Sequence, residues 1–300
     1  MKKYLIITLT ILVFMGLFGA MTVGSFAKSA RTFADCYINI TKTNFENENS
    51  NPQTDINHVN LGQKPQMAIV IDDFGYDRKG VEKMLNLDCT LTVAVMPCLQ
   101  FSHQDAETAH KLGHEVILHM PMEAFGNLPH SWYGPLFIAN SDTPETAYNK
   151  MVQGINDIPY CNGVNIHMGT AVSKNKTLMR EIIKATKERN MLFLDSRTTE
   201  GSVCEEVGKE IEAPVVLRDV FLEEQRANYA ITTDRITDAI NICLQKGKCI
   251  AIGHIGSVGR DITAECLKDN LNRIKSAGIE IVPLSALAYK ATSTTAQQEQ

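Results

Sequence analysis

The chain has 300 residues, 44% hydrophobic and 21% charged, close to the globular average, which excludes a wholly disordered polymer. Twenty-nine Lys and Arg against 34 Asp and Glu give a net charge of −5, so no nucleic-acid partner is expected. Nineteen glycines and ten prolines exclude collagen-like or proline-rich architecture.

Met1-Lys2-Lys3 opens with positive charge, and no charged residue follows from Tyr4 through Ala27. A spanning helix needs about 20 mainly apolar residues, and Ser25-Phe26-Ala27 offers the small residues a signal peptidase prefers. Residues 1–27 are therefore expected to be a signal peptide or an N-terminal membrane anchor, with membrane attachment through 4–27. The basic start favours a cytoplasmic N-terminus, so the rest is expected to be exported, to the periplasm or cell envelope. Residues 28–63 are rich in Asn, Thr and Ser without an apolar period and read as a flexible linker. Residues 291–300, rich in Thr and Gln, read as a disordered tail. Eight cysteines, with no Cys-x-x-Cys, allow 105 full pairings and suggest no cysteine metal site. Cys89, Cys243 and Cys249 lie in apolar runs, where cysteine acts as a small buried hydrophobe.

Residues 64–290 form the expected folded unit. Short apolar runs recur at Ala68–Ile71, Leu91–Met96, Val116–Leu118, Val164–Ile166, Leu192–Leu194, Pro214–Leu217, Ile250–Ile252 and Ile279–Val282. Apolar residues on consecutive positions suit strands buried on both faces. Amphipathic segments lie between them: Thr143-Pro144 predicts a helix start, Ser173 a cap for 174–189, and Gly113 and Gly278 helix ends. This alternation predicts an α/β fold of parallel βα units, a closed barrel or an open doubly wound sheet. No Gly-x-Gly-x-x-Gly follows the first run, which disfavours a dinucleotide-binding sheet.

Chemically versatile residues follow the ends of these runs. Asp72 and Asp73 follow Ile71, His119 follows Leu118, and His167 follows Ile166. Asp195 follows Leu194, Arg218 follows Leu217, and His254 follows Gly253. In a βα barrel those ends share one rim, where active sites are built. Strict alternation would send Asp72 and Asp73 to opposite faces unless the strand ends there, as Gly75 allows. Two histidines and a carboxylate match an open zinc-type site. Asp195 with Arg197 either joins the catalytic set or closes the rim as an ion pair. Trp132, the single tryptophan, either stacks on a sugar ring or packs internally.

Seven short motifs occur in order: Ile71-Asp72-Asp73-Phe74-Gly75, Ala94-Val95-Met96-Pro97, His119-Met120-Pro121-Met122-Glu123, Gly163 through Thr170, Phe193 through Thr198, Arg218 through Leu222, and Ile252-Gly253-His254. In this register the chain resembles the divergent polysaccharide deacetylase family, a branch of the metal-dependent carbohydrate esterases. The resemblance implies a distorted (β/α)7–8 barrel and a divalent metal at its mouth, zinc first, with Co2+, Ni2+ or Mn2+ as alternatives. It implies Asp72 as general base and Asp73 as metal ligand, with His119 as a second ligand and His254 as catalytic acid. The family's second histidine, four after the first, falls here on Glu123, so His167 is expected to complete the site, with Glu123 as the alternative ligand. Arg197 or Arg218 is expected to orient Asp72 or Asp195, and Arg218 and Trp132 to meet substrate. Phe221-Leu222-Glu223 stands where the branch tends to have Phe-Leu-Asp. The expected function is removal of acetyl groups from an N-acetylated (poly)saccharide. The competing reading is a non-catalytic envelope protein that binds glycan or a protein partner, and a third is another exported metallohydrolase.

Overall fold

The computed structural model describes residues 64–126 and 128–288. The segments read as export signal or anchor, linker and tail lie outside the described residues. Among the described residues no helix is long and apolar enough to cross a membrane.

The strands are β1 (Gln66–Phe74), β2 (Thr92–Val95), β3 (Glu115–Met122), β4 (Cys161–Met168), β5 (Leu192–Asp195), β6 (Val215–Leu217), β7 (Val220–Phe221), β8 (Lys248–His254) and β9 (Glu280–Ile281). The helices are α1 (Val81–Leu85), α2 (Ser102–Lys111), α3 (Pro144–Asp157), α4 (Lys176–Lys187), α5 (Cys204–Glu210), α6 (Tyr229–Lys246), α7 (Gly256–Gly259), α8 (Ile262–Ser276) and α9 (Leu284–Ala288). All pairings are parallel, in the order β6-β5-β4-β3-β2-β1-β8-β7, with β9 also on β1. The two ends of that order, β6 and β7, are successive in the chain. Arg218 N–H donates to Asp195 O (3.1 Å), and Asp219 N–H to Ile250 O (2.9 Å), so the chain steps from one margin of the sheet to the other. The sheet therefore curls into the expected distorted barrel.

Alternation divides the core. Met67, Ile69 and Ile71 of β1 face the outer helices, while Ala68 and Val70 face the interior with Ala94, Ile117, Leu194 and Ile252. Leu284 and Leu287 of α9 close the barrel floor. On α4 the residues Leu178, Met179, Ile182 and Ile183 are buried, each such side chain contributing about 1.5–3 kcal/mol. Thr143 caps α3 as expected, its hydroxyl accepting from Thr146 N–H (3.1 Å) ahead of Pro144. Ser173 does not cap α4: it lies inside a 3-10 turn, Val172–Lys174, and is buried. Asn175, extended and one residue before the helix, accepts from Leu178 N–H instead. Seven cysteines among the described residues are free thiols, and Cys204, Cys243, Cys249 and Cys266 are buried.

Candidate metal centre

Inward positions that are apolar at mid-strand become polar at the strand ends. Above Val70 on β1 comes Asp72, and above Ile117 on β3 comes His119. Above Gly163 on β4 come Asn165 and His167, and above Ile252 on β8 comes His254. Asp72 pairs in register with His254, and His119 with Asn165.

Asp73 reaches the same space through a break in alternation. The β1–β2 register shifts between Ile71 and Phe74, and Asp73 adopts φ 72°. A left-handed backbone at a residue other than glycine costs on the order of 1–3 kcal/mol, and Asp tolerates it better than most. The following turn is held from α2: Asp105, fully buried, accepts from Gly75 N–H (2.9 Å) and from Arg78. Gly75 sits at φ 99°, where an added Cβ would lie 3.0 Å from both Met96 O and Ser102 Oγ.

Asp73, His119 and His167 then converge. Asp73 Oδ1 lies 3.5 Å from His119 Nε2 and 3.2 Å from His167 Nδ1, and those two ring nitrogens are 3.1 Å apart. Each imidazole is engaged at its other nitrogen by a carbonyl-type oxygen. His119 Nδ1 meets Asn165 Oδ1 (2.7 Å), and His167 Nε2 meets Trp132 O (3.2 Å). With protons on those outer nitrogens, the inner ones present lone pairs to each other and to Asp73. Asp73 Oδ1 is buried and has no hydrogen-bond partner. Three electron-rich atoms packed this way call for a cation between them, and the set suits a zinc-type ion with open positions.

The electrostatics divide the two carboxylates. Burial would raise Asp73, but His119 and His167 beside it hold it well below the usual carboxylate range. Burial raises Asp72, only partly offset by His119 and His254. Burial would lower His119, yet Asp72 and Asp73 raise it, so without a metal the site draws in a proton as its positive charge. Opposed shifts on adjacent acids are the pattern expected of a base beside a ligand. Across the mouth, His254 Nδ1 lies 2.9 Å from Glu223 Oε2. Glu223 Oε1 also accepts from His254 N–H (3.2 Å) and from the Thr263 hydroxyl. Burial lowers His254, but the Glu223 carboxylate, with Asp73 and Asp72 behind it, outweighs burial and brings the imidazole to about 10. Asp72, Asp73, His119, His167 and His254 open on one cavity of about 550 Å³, with Tyr76, Trp132, Ser196 and Phe221 among its walls.

Four residues expected at the site lie elsewhere. Glu123 accepts from Asn140 N–H (2.7 Å) and takes no part in the Asp73–His119–His167 cluster. The reason is the strand: four residues at about 3.3 Å each would separate it from His119 by roughly 13 Å. Asp195 follows the inward Leu194 and so turns outward, accepting from Arg197 N–H (2.8 Å) and Ser202 Oγ (2.8 Å) to tie its own loop. Arg197 is exposed at φ 48°. Arg218 donates to Ser196 O (2.6 Å) and Arg197 O (3.0 Å) and lies 3.7 Å over the Phe221 ring, a clasp behind the cavity wall. Among the described residues no guanidinium bonds Asp72 or Asp195. Trp132 stands on the lip, 55% exposed. Asn165 and Glu223, without an assigned role in the sequence reading, bond to the functional groups, and Thr263 in turn bonds Glu223. Asn165 was detectable, because it shares a strand face with His167.

A model of the divergent polysaccharide deacetylase family matches residues 69–288. The uncharacterized protein YibQ of Escherichia coli strain K12 is 31% identical over 193 residues, 63% of this chain and 58% of its own length. An uncharacterized protein of Haemophilus influenzae strain Rd is 30% identical over 194 residues, 63% of this chain and 66% of its own. The matched region thus spans under two thirds of each curated relative. The crystal structure of uncharacterized protein ATU2773 from Agrobacterium tumefaciens C58 superposes with TM-score 0.69 at 23% identity, covering 75% of this chain and 89% of that one. That likeness carries the fold.

Proposed function

This chain belongs to the divergent polysaccharide deacetylase family, and from that premise we propose that it is a metal-dependent hydrolase that removes acetyl groups from an N-acetylated glycan at the cell envelope. The observation that carries the reading is one cavity holding a cation-seeking Asp73–His119–His167 cluster beside Asp72 and a His254 paired with Glu223.

Asp73, His119 and His167 would hold a divalent cation, zinc first, with Co2+, Ni2+ or Mn2+ as alternatives. When bound, such an ion supplies Lewis acidity and makes neutral-pH water a competent nucleophile. The chain's own residues do the proton work. Asp72, raised by burial, accepts the proton of the attacking water. His254, kept protonated by Glu223, gives its proton to the departing sugar nitrogen, which is a poor leaving group as an amide anion. Trp132, exposed on the lip, offers a ring face for a pyranose. Export through residues 1–27 is part of the proposal and rests on sequence alone.

The test is acetate release from N-acetylglucosamine oligomers by Zn2+- or Co2+-loaded protein. Release by the wild type that is abolished in Asp72→Asn supports the reading. Equal release by both removes Asp72 from the role of base. Glycan retention on a metal-loaded protein that never releases acetate favours the non-catalytic, glycan-binding barrel.

A further inference from the structure

Asn165 is fully buried, lies beside His119 in the β3–β4 register, and bonds in two directions. Its Oδ1 is 2.7 Å from His119 Nδ1, and its Nδ2 donates to Asp72 Oδ1 at 2.8 Å. We propose that Asn165 is a positioning residue whose amide ties Asp72 to His119, fixing the ring nitrogen that His119 presents to the metal and the carboxylate oxygen that Asp72 keeps for chemistry. The inference rests on the reading of Asp72 as base and His119 as ligand.

The argument is one of donors and acceptors. A carboxylate accepts only, so the amide must turn its NH2 toward Asp72. Its carbonyl then faces His119 and accepts from a protonated Nδ1. The remaining nitrogen, Nε2, is left with its lone pair, 3.5 Å from Asp73 Oδ1 and 3.1 Å from His167 Nδ1. Flipping the amide would break both bonds at once inside a buried site. Asp72 Oδ1 is thereby engaged, and Oδ2 is the oxygen left for the water proton. An aspartate here would serve His119 but not Asp72. An apolar side chain would serve neither. Only an amide of this length offers one acceptor and one donor on a single rigid plane. The link takes the place of the guanidinium contact expected for Asp72, which neither Arg197 nor Arg218 makes.

Three full-length proteins decide the matter: wild type, Asn165→Leu and Asn165→Asp. Metal affinity is read by Zn2+ and Co2+ titration against a chromophoric chelator, and kcat by acetate release at saturating metal, pH 8. Removing an outer partner of a ligating histidine lowers metal affinity by about 10–100-fold, the loss expected for Asn165→Leu. Asn165→Asp is expected to bind metal at least as tightly as wild type to within about threefold, yet to lose roughly 100-fold in kcat, since Asp72 then faces a second carboxylate. A merely structural role would lower the two quantities together. Should Asn165→Leu fail to fold, the affinity–kcat split in Asn165→Asp still tests the link. Wild-type kcat in Asn165→Asp, or wild-type metal affinity in a folded Asn165→Leu, overturns the inference. If the wild type releases no acetate, the deacetylase reading falls by itself, and the affinity difference between the Leu and Asp variants still decides whether Asn165 orients His119.

Discussion

Glu223→Gln is the most informative single change, because it keeps shape and removes charge. Glu223 is buried, at 3% exposure, and its Oε2 lies 2.9 Å from His254 Nδ1. Burial by itself lowers an imidazole, and the Glu223 carboxylate, followed by Asp73 and Asp72, overrides it to reach about 10. In Glu223→Gln the largest raising influence is gone while Asp73 and Asp72 still act, so His254 moves down from about 10. At pH 7.5 the wild-type imidazole is almost wholly protonated, whereas the variant's gives up its proton at a lower pH. The alkaline limb of acetate release is therefore expected to move to lower pH in Glu223→Gln, the gap to wild type widening about tenfold per pH unit once the variant's imidazole has lost its proton and closing at acid pH. The assay is a pH profile of kcat/KM from 5.5 to 9.5, with metal saturating and the His254 ring protons followed by NMR. The same linkage acts on stability: with the folded value raised, the pair's stabilisation is fully present below about pH 6.5 and is lost as pH rises through about 10. An unchanged alkaline limb in Glu223→Gln would refute the assignment of Glu223 as the group that keeps His254 charged.

Other consequences follow from the geometry. Glu123→Gln is expected to leave Zn2+ affinity within about threefold of wild type, as its carboxylate bonds Asn140 N–H rather than the metal-holding group. Isothermal titration checks this, and a loss beyond tenfold would restore Glu123 as a ligand. Gly75→Ala places a methyl 3.0 Å from Met96 O at φ 99°, so urea unfolding should show at least about 1 kcal/mol of destabilisation, with weakened metal binding as the Asp73 turn shifts. Leu284→Ala removes a fully buried plug from the barrel floor and is expected to cost about 2–5 kcal/mol in urea unfolding. Its metal affinity should not change, because the floor lies at the opposite end of the strands.

Much of this was legible because a buried parallel strand has a simple code. Eight apolar runs marked eight of the nine strands, and the polar residues ending the inward rows of β1, β3, β4 and β8 marked the mouth. Asp195 shows how the code is misread: Leu192 and Leu194 face inward, so the next position must face out, and proximity to a strand end was a weaker guide than parity. Glu123 failed for the related reason that a four-residue spacing brings side chains together on a helix and parts them on a strand. Asp73 lay beyond the code altogether, since parity sends it away and only the bulge returns it. Gly75 hinted at an irregular exit without saying which way Asp73 would turn. β7 has two residues, too few to stand out as an apolar run. Asn165 stood inside a quoted motif and Glu223 directly after another, but hydrogen-bond partners distant in sequence appear only once the strands are side by side.

The passage from β6 to β7 has a consequence for the breadth of the opening. Those two strands do not pair, and only Arg218 and Asp219 separate them, so the circumference is completed by covalent chain. Phe221 stands on one bank of this slit and Ser196 and Thr198 on the other. Lengthening the two-residue bridge would spread the banks while every ladder stayed intact, and shortening it would draw them together. Cavity girth is thus adjustable at a single point, independently of the residues that carry the chemistry on β1, β3, β4 and β8.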